Sequence, residues 1–265
     1  MVDLAVTDDG PRDGDVVVLG GSLGSTRAMW EPQVQPLTAA GLRVVRYDTR
    51  GHGESPVPPG PYDIDDLVDD LVALLDRLGV ARAHLVGLSL GGMVALRTAI
   101  REPHRVDRLV AMCTSAQLGP PSAWAERIAA VRAHGLGSVA PGIVSRWFTA
   151  ARQADDQEIV AWAEQMLAST PLEGYVGCCA AIQRMDLRDQ LGSITAPLLA
   201  IAGDQDLATP VPHLQAIADG VPRGRLAVVE QAAHLANVEQ PAAVNALLIE
   251  HLCGPTEGPA DHPGG

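Results

Sequence analysis

The feature that most constrains the fold is a serine set between a strand-like and a helix-like segment. Ser89 is the centre of a G-x-S-x-G pentapeptide at residues 87–91. Apolar residues precede it over 83–86, and others recur at helical spacing over 93–100. A serine at such a strand-to-helix turn has its hydroxyl pushed clear of the backbone, and the glycines make room for the turn. The helix N-terminus behind it favours negative charge on an attacked carbonyl oxygen.

Strand-like and helix-like segments alternate on both sides of this turn. The apolar patterns predict strands at residues 15–19, 42–47, 83–86, 106–112, 197–202 and 225–229, with 15–19 as the first strand. Helical spacing predicts helices near 29–40, 63–78, 93–100, 211–219 and 241–252. This alternation predicts an α/β fold with a mostly parallel, doubly wound sheet.

The alternation stops between residues 117 and 191, which are mostly helical in pattern and hold three of the four tryptophans. We predict that residues 117–191 form a helical cap, or lid, inserted into a core made of residues 1–116 and 192–253. Residues 254–265 are rich in glycine and proline and cannot pack a core. They are predicted to be a disordered tail or the remnant of a linker.

Composition disfavours several functional classes. The net charge of −13 opposes binding to nucleic acid or to anionic membranes. No apolar run reaches the roughly 18 residues of a membrane span, and the N-terminal residues lack the pattern of a signal peptide, so a cytoplasmic location is expected. All 19 basic residues are arginines, which excludes lysine Schiff-base chemistry and a Ser–Lys dyad.

The sequence predicts no metal site and no cofactor. The four cysteines include no C-x-x-C spacing of the kind that binds zinc. Asp65, Asp66, Asp69 and Asp70 fall within one predicted helix. We interpret these four aspartates as a solvated acidic face rather than as metal ligands, with the early ones favoured by the helix dipole.

Ser89 needs a base, and the base needs an acid that orients it. Each partner should lie in a loop just after a core strand. The strand at 197–202 is followed by two aspartates, of which Asp206 is the preferred acid and Asp204 the alternative. The strand at 225–229 leads to His234, the best placed of the eight histidines to act as base. His52, in the loop at 48–55, is interpreted as shaping the backbone.

Two backbone N–H groups are candidates for an oxyanion hole. One belongs to Leu90, the residue after the serine, and the other to Leu23 in the glycine-rich loop at residues 20–24. A plain turn would explain where these glycines lie but not how many there are. A phosphate-binding loop fits less well, because the segment lacks both G-K-[ST] and G-x-G-x-x-G.

Taken together, these motifs resemble those of the 3-oxoadipate enol-lactonases, a family of alpha/beta hydrolases, over about residues 15–250. The segments that carry the resemblance are Gly20-Gly21-Ser22-Leu23-Gly24, Met29-Trp30-Glu31-Pro32-Gln33, Asp48-Thr49-Arg50-Gly51-His52-Gly53-Glu54-Ser55, Gly87-Leu88-Ser89-Leu90-Gly91-Gly92, Arg146-Trp147-Phe148-Thr149, residues 173–182 and residues 233–241. The segments around Trp147 and Cys178 point to the lactonases, whereas the others are common to the superfamily.

The resemblance implies a serine hydrolase that opens the ring of 3-oxoadipate enol-lactone through a Ser-His-Asp triad, in the catabolism of aromatic compounds. It implies a small lactone or ester as the partner and leaves homo-oligomer formation open. Trp147 would then wall the pocket. The carboxylate of the lactone would need a cation, for which Arg146 is preferred among the cap arginines 127, 132, 146, 152, 184 and 188.

Two other interpretations stay open from the sequence. The chain could be a different hydrolase on the same scaffold, such as a carboxylesterase, a methylesterase or a cofactor-free perhydrolase. It could also be a ligand-binding protein that retains the catalytic side chains without using them.

Overall fold

A computed structural model describes residues 1–255 of the chain. The strands are β1 (Val6–Asp9), β2 (Val16–Gly20), β3 (Arg43–Tyr47), β4 (Ala83–Leu88), β5 (Val106–Met112), β6 (Leu198–Gly203) and β7 (Gly224–Val229). The α-helices are α1 (Glu31–Ala39), α2 (Ile64–Arg77), α3 (Leu90–Arg101), α4 (Pro121–His134), α5 (Leu136–Val144), α6 (Ala150–Asp155), α7 (Gln157–Ala168), α8 (Leu172–Arg184), α9 (Val211–Gly220), α10 (Ala236–Glu239) and α11 (Pro241–Cys253). None of the helices within residues 1–255 is long and apolar enough to cross a membrane.

The strands form one sheet in the order β1-β3-β2-β4-β5-β6-β7. Only β1 runs antiparallel to its neighbour, and every other pair in this described sheet is parallel. The prediction of a mostly parallel α/β sheet flanked by helices is confirmed. Helices cover both faces of such a sheet, which is why its central strands are nearly continuous apolar runs. Their carboxyl ends meet at one edge, where ligands bind in open α/β sheets.

The first strand differs from the prediction, which began the sheet at residues 15–19. The structure adds β1 before that strand, and pairs Val6 with Tyr47 at the outer edge of the sheet. All four residues of β1 are half-buried, and only Val6 is apolar. An edge strand with one apolar residue has no alternating pattern, so the sequence carried little signal for it.

Five helices, α4 to α8, lie between β5 and β6, in the stretch predicted as the cap. Helix α4 packs on α8, and α5 packs on α7. Trp124, Trp147 and Phe148 are buried within or beneath these helices. The division into cap and core domains stays a prediction. Of the predicted tail, residues 256–265 lie outside the described residues.

The interpretation of the aspartates on α2 as a solvated face is wrong for one of them. Asp70 is only 1% exposed, and its carboxylate accepts from Arg50 Nε at 2.6 Å and from Val2 N at 2.7 Å. Asp65 also forms an ion pair, with Arg97. The buried partner Arg50 comes from the loop after β3, which the helical pattern could not reveal. Among residues 1–255, no cluster of His, Cys, Asp and Glu side chains could hold a metal ion.

The turn that carries Ser89 depends on glycines at two positions for space. A Cβ atom on Gly87 would lie 2.1 Å from Gly91 O, and one on Gly91 would lie 2.2 Å from Gly20 O. Both contacts are with backbone, which cannot rotate away as a side chain can. The close approach of β4, α3 and the loop after β2 therefore requires glycine here.

We expect Gly91→Ala to lower the free energy of unfolding by about 2–3 kcal/mol, because the new methyl group overpacks a backbone contact. Urea-induced unfolding would measure the change. Gly137→Ala is the matched control, since no atom lies within 4 Å of its Cβ position. That variant should be at least as stable as wild type, with a gain of up to about 1 kcal/mol because alanine favours a helix over glycine. Equal stability of Gly91→Ala and wild type would contradict the close approach.

Candidate active site

Ser89 occupies a strained turn at the carboxyl end of β4. Its backbone has φ 55° and ψ −115°, outside the conformations that a non-glycine residue ordinarily adopts. Two hydrogen bonds with the end of β5 and the residues just after it hold Ser89 there: Ser89 N donates to Met112 O at 2.9 Å, and Thr114 Oγ1 donates to Ser89 O at 2.7 Å. Backbone strain of this kind persists only where the surroundings impose it, and it clusters at functional sites.

His234 and Asp206 meet at the same edge of the sheet. His234 follows β7, Asp206 follows β6, and the distance from His234 Nδ1 to Asp206 Oδ2 is 2.9 Å. Both side chains are buried, at 4% and 2% exposed. An imidazole that donates from Nδ1 to a carboxylate keeps its lone pair on Nε2. The pair can therefore act as a base with a defined orientation.

The pKa of Asp206 lies well below its usual value. Burial alone would raise this pKa, but the facing imidazole of His234 and hydrogen bonds from Thr209 outweigh that effect. Thr209 Oγ1 donates to Oδ2 at 2.6 Å, and Ala208 N donates to Oδ1 at 2.8 Å. The carboxylate is thus held ionised beside the imidazole.

The alternative acid, Asp204, occupies a different position. It is exposed, and its Oδ1 accepts from Ala232 N at 3.1 Å. Asp204 thus contacts the backbone of the loop that leads to His234, whereas the carboxylate of Asp206 contacts the imidazole itself. The spacing of the two residues alone could not distinguish these roles.

Ser89 and His234 line the same cavity, whose volume is about 480 Å³. Within residues 1–255, the side-chain hydrogen bonds include none between Ser89 Oγ and His234, whose Nδ1 is engaged by Asp206. Catalytic hydrogen bonds are often long in unliganded sites and tighten around substrate. The cavity itself is large enough for a small lactone or ester.

The loop after β2 is held against this cavity by polar contacts. Leu23 lines the cavity. The backbone N–H groups of the residues before and after it both donate hydrogen bonds. Ser22 N donates to Met29 Sδ at 3.3 Å, and Gly24 N donates to His52 Nε2 at 2.9 Å. Leu90, the other predicted donor, is fully buried at the start of α3.

His52 acts on the backbone of this loop. Its Nδ1 lies 3.1 Å from Arg50 O, while its Nε2 accepts from Gly24 N. Burial lowers the pKa of His52, so the ring stays neutral and retains the acceptor that Gly24 needs. The histidine therefore shapes the predicted oxyanion loop.

The sequence analysis missed Glu239, which joins the cap to the loop of the base. Its Oε1 accepts from Thr149 N at 2.9 Å, and its Oε2 accepts from Ala233 N at 2.8 Å. Leu235 N donates to Trp147 O at 2.9 Å beside these bonds. The partners are up to 90 residues apart along the chain, and no local pattern connects them.

Both predicted substrate-binding residues, Arg146 and Trp147, line the cavity from the cap side. Of the other cap arginines considered, Arg127 also lines it. The remaining four pair with acidic side chains elsewhere: Arg132 with Glu173, Arg152 with Asp156, Arg184 with Asp63 and Arg188 with Asp186.

Comparisons with known proteins agree with this architecture. A model of the alpha/beta hydrolase fold family matches residues 15–241. A protein from Acinetobacter baylyi named 3-oxoadipate enol-lactonase 2 is 39% identical over 236 residues, which are 89% of this chain and 88% of that protein. The crystal structure of the enol-lactonase from Burkholderia xenovorans LB400 superposes with a TM-score of 0.92 at 35% identity, covering 95% of this chain and 97% of the other.

A second group of similar proteins has a different name. A protein from Variovorax paradoxus named carbamate hydrolase RutD is 34% identical over 248 residues, covering 92% of this chain and 93% of that protein. Both groups are hydrolases by name. The name of the first group specifies an enol-lactone as the substrate, and that of the second group specifies a carbamate.

Proposed function

This chain belongs to the alpha/beta hydrolase fold family and is a carboxylic ester hydrolase, and we propose that it opens the ring of 3-oxoadipate enol-lactone to give 3-oxoadipate, a step in the catabolism of aromatic compounds. The observation that carries the proposal is the 2.9 Å contact between His234 and Asp206 at the cavity that Ser89 also lines. The enol-lactonases among its relatives support the substrate.

In the proposed mechanism, Ser89 Oγ attacks the ring carbonyl while His234 Nε2 accepts its proton. The carbonyl oxygen becomes an oxyanion, and the N–H groups of Leu23 and Leu90 would stabilise it. Asp206 orients the imidazole and stabilises its cationic form without taking the proton.

Collapse of this intermediate breaks the ring C–O bond and leaves an acyl group on Ser89. The leaving group is an enolate, which receives the proton held by His234 and tautomerises to a ketone. That tautomerisation makes ring opening hard to reverse. Water, deprotonated by His234, then attacks the acyl group and releases 3-oxoadipate, returning the proton to Ser89.

A second candidate is carbamate hydrolysis, which the 34% identical relative favours. The same nucleophile and base could attack a carbamate carbonyl, but the leaving group would then be an amine or ammonia. Simple ester hydrolysis on the same scaffold is the third possibility. The three substrates differ in leaving group and charge, so direct competition among them is informative.

We expect kcat/KM for the enol-lactone to exceed that for 4-nitrophenyl acetate and for a small carbamate by more than about tenfold. A pocket shaped for the lactone would bind the transition state of its ring opening more tightly than the transition states of the other two reactions. Loss of the lactone chromophore, release of 4-nitrophenol and release of ammonia would be followed with one enzyme preparation. Ester or carbamate turnover with no lactone turnover would defeat the proposed substrate.

A further inference from the structure

The loop that carries His234 is held in a strained conformation. Gln231, three residues before the base, has φ 54°, a value that non-glycine residues rarely adopt. Its carbonyl oxygen accepts from Gln240 Nε2 at 2.9 Å, and Ala232 O accepts from Gln205 N at 2.9 Å. Strain of this kind persists only where surrounding contacts impose it. The position of the imidazole therefore depends on the groups that bind this loop.

Glu239 supplies the carboxylate that binds the loop closest to the base. Its Oε2 accepts from Ala233 N at 2.8 Å, and Ala233 is the residue directly before His234. Its Oε1 accepts from Thr149 N at 2.9 Å and from Thr149 Oγ1 at 2.5 Å. Thr149 is the residue directly before α6, within the predicted cap. One side chain thus fixes the base loop against the cap.

The carboxylate of Glu239 is buried without a cationic partner. The residue is 6% exposed, and the ion pairs of the described residues include none with it. Three donors face its two oxygens, which act only as acceptors. Burial of a charged group is costly unless hydrogen bonds compensate it, and an apolar side chain would pack here without that cost. A carboxylate at this position therefore favours a role in fixing the loop rather than in filling space.

A second link joins the same two segments. Leu235, directly after His234, donates from its backbone N to Trp147 O at 2.9 Å, and Trp147 lines the cavity. The residues on both sides of the base are thus bound to cap residues 147–149. Proton transfer from Ser89 Oγ to His234 Nε2 requires close alignment, and a misplacement of about 1 Å can cost about 10²-fold in rate. A group that fixes this loop can therefore control the rate of the chemical step.

We propose that Glu239 is a positioning residue: it aligns His234 with Ser89 by tying the base loop to the cap at Thr149. This inference rests on the proposed function for the roles of Ser89 and His234, but not for the identity of the substrate. A carboxylate is required because all of its partners donate, so a glutamine would turn an N–H group toward either Thr149 or Ala233. Loss of the link slows attack by Ser89 without weakening the binding of substrate.

The test measures the rate constant with which diisopropyl fluorophosphate modifies Ser89. In that reaction Ser89 Oγ bonds to phosphorus, fluoride leaves, and His234 accepts the hydroxyl proton. We expect Glu239→Gln to lower the rate constant by about 10- to 100-fold, the range for a hydrogen bond to a charged group. The kcat for lactone opening should fall by a similar factor, while KM stays within about threefold. The final amount of label reports the folded fraction, so the rate constant is independent of it.

Glu230→Gln is the matched control, because it makes the same chemical change at an exposed position four residues before His234. Its rate constant should stay within about twofold of wild type. Thr149→Val tests the cap side with a smaller change, since the bond from Ala233 N to Glu239 remains. We expect this variant to label about 3- to 10-fold more slowly, and Thr149→Ser, which keeps the hydroxyl, to stay within about twofold of wild type.

A smaller amount of label with an unchanged rate constant in Glu239→Gln would overturn the inference, because a purely structural role predicts that result. An equal loss in Glu230→Gln, a loss confined to KM, or an unchanged rate constant in Thr149→Val would also overturn it. These outcomes leave the proposed function intact. Labelling of wild type without lactone turnover would defeat the proposed substrate alone, whereas no labelling of wild type and no turnover would defeat both.

Discussion

Ser89→Ala should reduce kcat for lactone opening by about 10⁴- to 10⁶-fold, because it removes the atom that forms the acyl-enzyme while leaving the cavity in place. His234→Ala should have an effect of similar size. The double variant should be hardly worse than either single one, since nucleophile and base act as a unit. Single-turnover kinetics with the enol-lactone would measure all three.

Ser115→Ala is the control for the loss of a buried serine at the same edge of the sheet. Ser115 follows β5, and its hydroxyl donates to Gln117 O rather than facing the cavity. Removing this hydroxyl should change kcat by less than about threefold, because a single polar contact outside the cavity has only a small effect. A fluorophosphonate should label wild type and Ser115→Ala stoichiometrically and leave Ser89→Ala unlabelled. Absence of labelling in wild type would favour a ligand-binding protein without hydrolytic activity.

Asp206→Asn should lower kcat by about 10⁴-fold, the loss expected when the acid of a triad becomes an amide. The amide could donate to His234 Nδ1, which would then be an acceptor, and the proton would move to Nε2. A ring protonated on Nε2 cannot accept the proton of Ser89. The variant should therefore fold and bind substrate while losing turnover, a loss that appears in kcat rather than in KM.

Asp204→Asn is the matched control for this substitution, because it makes the same chemical change two residues away. The carboxylate of Asp204 accepts from Ala232 N, and among the described residues it forms no hydrogen bond with His234. Activity close to wild type in Asp204→Asn, with a large loss in Asp206→Asn, would assign the acid to Asp206. The reverse pattern would assign it to Asp204 and contradict the geometry of the site.

Asp206 also makes stability depend on pH in a defined direction. Its pKa is lower in the folded chain than the value near 3.9 of an unfolded aspartate. Its contribution to the free energy of unfolding is therefore fully present well above pH 4 and is lost as the pH falls through the folded-state pKa. Urea unfolding at pH 7 and pH 3 should show a smaller stability difference between wild type and Asp206→Asn at the lower pH.

Part of the candidate site could be predicted because it follows from the ends of strands. Ser89, Asp206 and His234 each lie in the loop or turn that follows a core strand, and the carboxyl ends of parallel strands lie at one edge of a sheet. The structure brings Asp206 and His234 into contact as that rule predicts, and their catalytic roles stay a prediction. Strand β1 was missed because four half-buried residues leave no apolar pattern.

The sequence alone determined the α/β alternation and the strand-turn-helix around Ser89, because both arise from local periodicity and from glycines that a tight turn requires. Only the tertiary structure decided which charges are paired. It buried Asp70 against Arg50, joined Glu239 to Thr149, and left Arg127 facing the cavity while Arg132 met Glu173. Pairing depends on which distant segments pack together, and an arginine in a helix carries no local sign of the partner that folding will bring to it.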